Sequence, residues 1–353
     1  MKKKISVIDG DGIGPEIMES TIKILKSIEK KYQHHFSYHR VLGGGMAIEK
    51  FGVPMPEETM NICSKSDAIL LSCFGDPKYD HFPIGMRPED GLLKLRKSMK
   101  AYCNIRPIFF YNTLSNQSPI KKELLNGVNF VIYRELTGGI YFGKKGRIKN
   151  GDIAYDHCTY SKKEIERIGY HAFHAAMNRT KKLTLVDKSN VLETSRLWRE
   201  VICKMGKDYP EVTLNFLYVD NAAMQIILTP SKFDIILTDN MFGDILSDLS
   251  SVLIGSLGLL PSSSIGYGTP IFEPVHGSYP QAKGKNIANP IGCILSASMM
   301  LEYFGMYKEQ KLLIEAVNHS IKHGIITKDL CSCPLSRTTS EVGNYIVTYI
   351  NNH

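Results

Sequence analysis

Leu237-Thr-Asp-Asn-Met-Phe-Gly-Asp-Ile-Leu-Ser-Asp-Leu-Ser-Ser251 begins where the apolar run Phe233-Asp-Ile-Ile-Leu-Thr238 stops, and it opens a helical pattern. Strand, turn and helix in that order make an α/β unit. Asp244 and Asp248 are four residues apart, so on a helix their carboxylates lie one turn apart on one face. Like charges at that spacing repel unless something cationic sits between them. A divalent cation such as Mg²⁺ or Mn²⁺ takes a few carboxylate oxygens and keeps other positions for water or substrate. The pair therefore reads either as an ordinary solvated helix face or as a metal seat.

The chain of 353 residues is long enough for one large or two modest cores. With 43% hydrophobic and 22% charged residues, it has the composition of a globular protein and not of a disordered one. No apolar run approaches the ~18 residues of a membrane span, and no signal segment follows Met1-Lys-Lys-Lys4. The eight cysteines lack paired zinc spacing, and Cys331-Ser-Cys333 is the only close pair, so reduced thiols in a cytosolic protein are expected. The net charge of +8 is spread along the chain in short lysine runs without interleaved aromatics or a nucleic-acid motif. No nucleic-acid or membrane partner is expected.

Outward from the opening stretch, strands and helices alternate. Ile5-Ser-Val-Ile8 is followed by Asp9-Gly-Asp-Gly-Ile-Gly-Pro-Glu16 and a helix in which Pro15 fits the first turn. The glycines give G-x-G-x-G, not G-x-G-x-x-G, and the strand near Phe36–Leu42 lacks a terminal acid for a ribose, so a dinucleotide fingerprint is rejected here. Ala68-Ile-Leu-Leu-Ser-Cys-Phe74 reads as a buried parallel strand, and Ser161-Lys-Lys-Glu164 as a capping box.

Arg96, Arg106 and Arg134 sit beside apolar segments, and a guanidinium fork matches a carboxylate bidentately. A convergent trio would suit a dicarboxylate. Lys188, Asp220 and Asp239/Asn240 each lie just past a strand end, where ligands of α/β proteins gather. Each could equally be a helix cap or loop residue.

The segment Asn240–Leu259 resembles the signature of the β-decarboxylating dehydrogenases, the isocitrate and 3-isopropylmalate dehydrogenase family. The resemblance extends to Gly10–Glu16, Gly91–Ser98, Arg134–Gly143, Val219-Asp-Asn221, Phe272–Ser278 and Ile287–Pro290, covering nearly the whole chain. It implies an α/β, two-domain fold with a large mixed sheet flanked by helices, not a Rossmann fold. The implied domains are discontinuous: 1–101 with 255–353 for the cofactor, and 102–254 for substrate, metal and dimerisation.

The family resemblance implies oxidation of a 2-hydroxy acid followed by loss of its β-carboxylate. One Mg²⁺ or Mn²⁺ per site would be held by Asp244 and Asp248 of one subunit and Asp220 of its partner, polarising the developing ketone and enolate. Lys188, also from the partner, would be the base, and Tyr141 the proton donor after decarboxylation. Arg96, Arg106 and Arg134 would grip the carboxylates. A homodimer with shared sites follows.

Substrate choice rests on Gly91-Leu-Leu93. Leu92, Leu93 and Val191 would line an apolar recess for an isopropyl group, as in 3-isopropylmalate, where a third carboxylate would be costly. Leu92 and Leu93 could also be core residues of their helix. The resemblance places the cofactor, NAD, on the loop His276–Pro290, with His276, Gly277, Ser278, Gln281, Ile287 and Asn289 near its adenosine half, and Glu89 and Asn190 near the nicotinamide. The loop departs from the family at Tyr279 and at Gln281, where many NAD-dependent members carry an Asp for the ribose. Gln can hydrogen-bond a hydroxyl but does not repel a 2′-phosphate, so NAD is favoured with weaker discrimination.

The rival readings are another family member acting on isocitrate, tartrate or homoisocitrate, a Mg²⁺-dependent hydrolase, and a non-catalytic binding protein. Leu92-Leu93 argues against the first. The arginines and the His276–Asn289 loop have no task in the second, and the retention of Lys188 and Tyr141 disfavours the third.

Overall fold

In a computed structural model that describes residues 1–331 and 336–353, the chain divides into two compact units, Met1–Ala101 with Gly255–His353, and Tyr102–Ile254. Cys333 lies outside the described residues.

In the first unit five strands lie in the order His35–Arg40, Lys2–Ile8, Ala68–Leu71, Ile271–Pro274, Pro261–Ile265. Their pairings are parallel except the last, which is antiparallel. Ala68–Leu71 is buried at every position, as its unbroken apolar run requires. Helix Gly14–Tyr32 starts with Pro15 in its first turn and packs against Thr339–Asn352, while Ile291–Tyr303 covers the strands. Cys63, Cys73 and Cys293 are free thiols inside this unit.

The glycine loop before the first helix serves packing. Gly12 has φ +55°, and a Cβ there would lie 2.0 Å from the carbonyl oxygen of Ser278. The Ile13 amide donates to that same oxygen at 2.8 Å. The turn thus seats the loop that begins at His276, and only glycine permits so close an approach.

The second unit orders its strands Cys103–Phe109, Asn129–Glu135, Ile235–Thr238, Lys182–Asp187, Thr213–Tyr218. The first pair is antiparallel and the others are parallel. Both units are therefore α/β with mixed strand directions, the class expected. Helices Lys162–Met177 and Glu193–Gly206 pack together, and the Ser161–Glu164 capping box is formed. A separate hairpin, Lys145–Ile148 with Ile153–Asp156, leaves Ile148, Ile153 and Tyr155 exposed. No helix among the described residues is long and apolar enough to cross a membrane.

Candidate active site

Two periodicities assemble the charged site of the second unit. Along Cys103–Phe109, Asn104 and Arg106 share a face because strand side chains alternate, and Arg134 lies directly opposite Asn104 in the antiparallel register. Helix Asn240–Ile254 packs over these strands and presents Asp244 and Asp248 one turn apart. Asp239 caps that helix by accepting the Phe242 amide at 2.8 Å.

The repulsion foreseen between the two aspartates is offset inside the chain. The Arg106 guanidinium reaches Asp244 at 3.6 Å and Asp248 at 3.4 Å, and donates to Ser247 Oγ at 2.5 Å. Arg134 donates from Nη1 to Asp244 Oδ1, and Tyr141 Oη donates to Asp244 Oδ2 at 3.1 Å. The Arg134 guanidinium also lies 5.8 Å from the Tyr141 ring centroid. Asp244 is thus the point on which three of the expected site residues meet. Gly243 makes room for this arrangement: a Cβ there would lie 2.6 Å from Arg134 Cγ.

Electrostatics follow the packing. Burial raises the pKa of Tyr141, and the Asp244 carboxylate adds to the rise, so the phenol keeps its proton. Burial likewise raises Asp248, against the lowering effect of Arg106. Asp239, capping the helix from a buried position, is pushed up to about 6, chiefly by desolvation.

Lys188 follows strand Lys182–Asp187 and Asp220 opens helix Val219–Leu228, so both lie at carboxyl ends of parallel strands. Lys188 Nζ donates to Asp220 Oδ1 at 2.6 Å, and this bond is the main reason Asp220 is held below the usual carboxylate range. Asn190 and Val191 are exposed beside Lys188, Val191 at 62%. Among the described residues no three His, Cys, Asp or Glu side chains of one chain gather to hold a metal.

The remaining expected residues belong to the first unit. Arg96 is buried, with Nε and Nη2 on Glu273 Oε1 at 3.2 and 2.7 Å. Leu92 is partly buried against the core around Ile8, Met55 and Leu95, while Leu93 is half-buried. Glu89 and Ser278 flank Gly75, where a Cβ would lie 2.8 Å from Glu89 Oε1 and 3.4 Å from Ser278 Oγ.

His276, Gly277, Ile287 and Asn289 line a cavity of about 290 Å³. His276 Nδ1 lies 2.9 Å from the Gly277 carbonyl oxygen, which makes Nδ1 the protonated nitrogen and leaves Nε2 a buried acceptor without a hydrogen-bond partner among the described residues. Burial lowers the pKa of this imidazole, keeping it neutral. Gln281 is exposed and is not among the lining residues.

Sequence reasoning missed Asp329, which lines the same cavity and accepts from Asn289 Nδ2 at 3.0 Å and Ser256 Oγ at 2.5 Å. A lone Asp in a short polar turn carries no signal of its own. It also missed Asn104, and took Asn240 only as a polar residue past a strand end.

Residues 4–346 match the model of a family described as isocitrate/isopropylmalate dehydrogenase. The chain belongs to this family. A protein of Wolinella succinogenes named 3-isopropylmalate dehydrogenase is 48% identical over 99% of this chain and 98% of its own length. A Bacteroides fragilis protein of the same name is 47% identical over 99% of each. Among solved structures, the isocitrate dehydrogenase of Methylococcus capsulatus has a TM-score of 0.90 at 32% identity over 99% of both chains. A β-decarboxylating dehydrogenase of Thermococcus kodakarensis has a TM-score of 0.81 at 32% identity, covering 99% of this chain and 96% of that one. The matched residues include both the motif Asn240–Leu259 and the loop His276–Pro290.

Proposed function

We propose that the chain oxidises and decarboxylates 3-isopropylmalate to 4-methyl-2-oxopentanoate with reduction of NAD, a step of leucine biosynthesis, as a cytoplasmic homodimer. The observation that carries this reading is the meeting of Arg106, Arg134 and Tyr141 on Asp244, since a dicarboxylate, a metal seat and a proton donor are wanted at one place.

The donor set fits a hard divalent cation. Asp244 and Asp248 offer carboxylate oxygens from one helix face, both partly exposed, and Asp220 of a second copy supplies a third. The cavity fits an adenine ring, because Ile13, Leu257, Ile287 and Ala288 offer apolar walls and Asn289 and Ser256 offer neutral polar edges. When bound, the cation supplies Lewis acidity at the substrate hydroxyl and the nicotinamide accepts hydride.

The chain's own residues do the rest. Arg96, Arg106 and Arg134 orient the carboxylates through planar forks. Lys188 takes the proton of the C2 hydroxyl. Once the β-carboxylate has left as carbon dioxide, the protonated Tyr141 delivers its proton to the enolate carbon. Leu92, Leu93 and Val191 receive the isopropyl group, whose burial is favourable where a carboxylate would be stranded. The dimer reading is supported by the apolar side chains exposed on helices Val219–Leu228 and Asn240–Ile254, namely Met224, Leu228 and Ile245.

NADH absorbance tests the reaction. Formation is expected with 3-isopropylmalate and Mn²⁺ and should cease with a chelator. NADH from isocitrate but not from 3-isopropylmalate would falsify the substrate assignment. The shared site is tested by mixing inactive Lys188→Ala with inactive Tyr141→Phe. Demonstrated mixed dimers should regain activity, because one of their two sites holds neither substitution, and mixed dimers that stay silent rule the shared site out.

A further inference from the structure

We infer that Asn104 and Asn240 are positioning residues for Arg106 and Arg134, holding each guanidinium by an uncharged oxygen so that it is fixed without being neutralised along that edge. The inference rests on the function proposed above and goes beyond it.

Both amides present Oδ1 to a guanidinium Nε. Asn240, 1% exposed, accepts Arg134 Nε at 3.0 Å and Nη2 at 2.8 Å on Oδ1. Its Nδ2 donates to the Gly138 carbonyl at 3.1 Å, and its backbone amide donates to Tyr160 Oη at 3.0 Å. The orientation of this amide is determined by its partners: a carbonyl can only accept and a guanidinium can only donate. Asn104, 0% exposed, accepts Arg106 Nε on Oδ1 at 2.7 Å.

Other arginines of this chain show the contrasting solution. Arg199 sets Nε and Nη2 on the Asp187 carboxylate, both at 2.9 Å, and Arg179 sets Nε on Asp234 Oδ1 at 2.6 Å. A buried arginine is ordinarily matched by a carboxylate because isolated charge is costly to bury. At Arg106 and Arg134 an amide stands on the Nε edge instead, while Asp244 and Asp248 face the terminal nitrogens. Orientation is thereby separated from charge. The braces supply direction, and the positive charge of the two guanidinium groups is shared with Asp244 and Asp248 at the site, where an anionic substrate can draw on it.

A carboxylate in place of Asn240 keeps both bonds to the Arg134 fork but adds a negative charge on its braced edge. In the Asn240→Asp variant, binding of 3-isopropylmalate in the presence of Mn²⁺, read by calorimetry, should weaken roughly tenfold or more. The KM for NAD should stay within about twofold, because the braces do not serve the cofactor. In an Arg134→Ala background the same substitution should cost less than about threefold, the non-additivity that marks action through Arg134. Asn104→Asp repeats the test on Arg106 and serves if Asn240→Asp does not fold. A folded Asn240→Asp that binds within threefold of the parent, or pays an equal penalty without Arg134, overturns the inference. A parent that neither binds nor oxidises 3-isopropylmalate overturns the proposed function and this inference with it; a working parent with an indifferent variant overturns the inference alone.

Discussion

In Tyr102–Ile254 the candidate site is held by charge: two buried arginines on one strand pair and two aspartates on one helix meet a tyrosine from the turn after Asn129–Glu135. In Met1–Ala101 with Gly255–His353 the cavity beside His276 is bounded by aliphatic side chains and glycines, with Ser256, His276, Tyr279 and Asn289 as its neutral polar side chains and Asp329 as its carboxylate. The first arrangement suits chemistry in which charge develops and must be balanced. The second suits shape recognition of a large neutral ring, where each polar contact adds orientation. Substitutions in the two units should therefore be separable. Those in the first unit's cavity shift the cofactor KM, and those around Asp244 shift substrate binding and turnover.

The largest effect is expected at Asp244. Asp244→Asn keeps the size of the side chain but removes the charge that Arg106, Arg134 and Tyr141 share. The value of kcat/KM for 3-isopropylmalate should fall about 10³-fold, with NAD binding to the unligated enzyme changed less than about threefold. A comparable loss of NAD binding would break the division between the units.

Next is a stability effect inside the charged unit. Asp239 has a folded pKa of about 6, above its ordinary value of 3.8, so folding favours its protonated form. Its contribution to stability is fully present below about pH 4 and is lost as pH rises through 6. Asn at this position can still cap the Phe242 amide without burying a charge. Asp239→Asn should thus exceed the parent in stability by on the order of 2 kcal/mol at pH 7 and by nothing below pH 4. Urea unfolding across that window reads the difference, and a gap that does not change with pH would show that Asp239 is not the group responsible.

A smaller effect is expected at His276. Leucine in its place fills the space but removes the buried acceptor Nε2. The KM for NAD should rise roughly tenfold, because an imidazole wall of the cavity is replaced by a branched aliphatic one, with the KM for 3-isopropylmalate unchanged. A rise in both constants would show that the first unit's cavity takes part in substrate binding.

What could be read beforehand differs between the units for a physical reason. Charged residues in register leave a trace, because a helix repeat places Asp244 over Asp248 and strand alternation can bring Arg106 and Arg134 to one face. The braces leave none: Asn104 and Asn240 matter through a single oxygen whose direction depends on two packed strands and a helix. Asp329 is likewise invisible until the turn that carries it meets Asn289. The glycines of Asp9–Glu16 were legible as a tight turn, but their partner, the Ser278 carbonyl, was not. Leu92 shows how far pattern reaches, since the residue expected in a substrate recess also packs on the core, a contact that helix spacing alone leaves open.

The smallest effect concerns Gln281, which is exposed on the loop and bears no charge. An Asp at this position would accept from both ribose hydroxyls of NAD and would repel a 2′-phosphate, whereas Gln can only hydrogen-bond. Because the position is solvent-exposed, the added repulsion is screened and amounts to less than about 1 kcal/mol. Gln281→Asp should therefore raise the ratio of kcat/KM for NAD to that for NADP by no more than about fivefold, and mostly by weakening NADP. The effect should shrink as salt is added, since a screened exposed charge is its source. A ratio that is unchanged at low salt would place Gln281 away from the ribose, and a large ratio indifferent to salt would mean that the loop closes over the cofactor and buries this position.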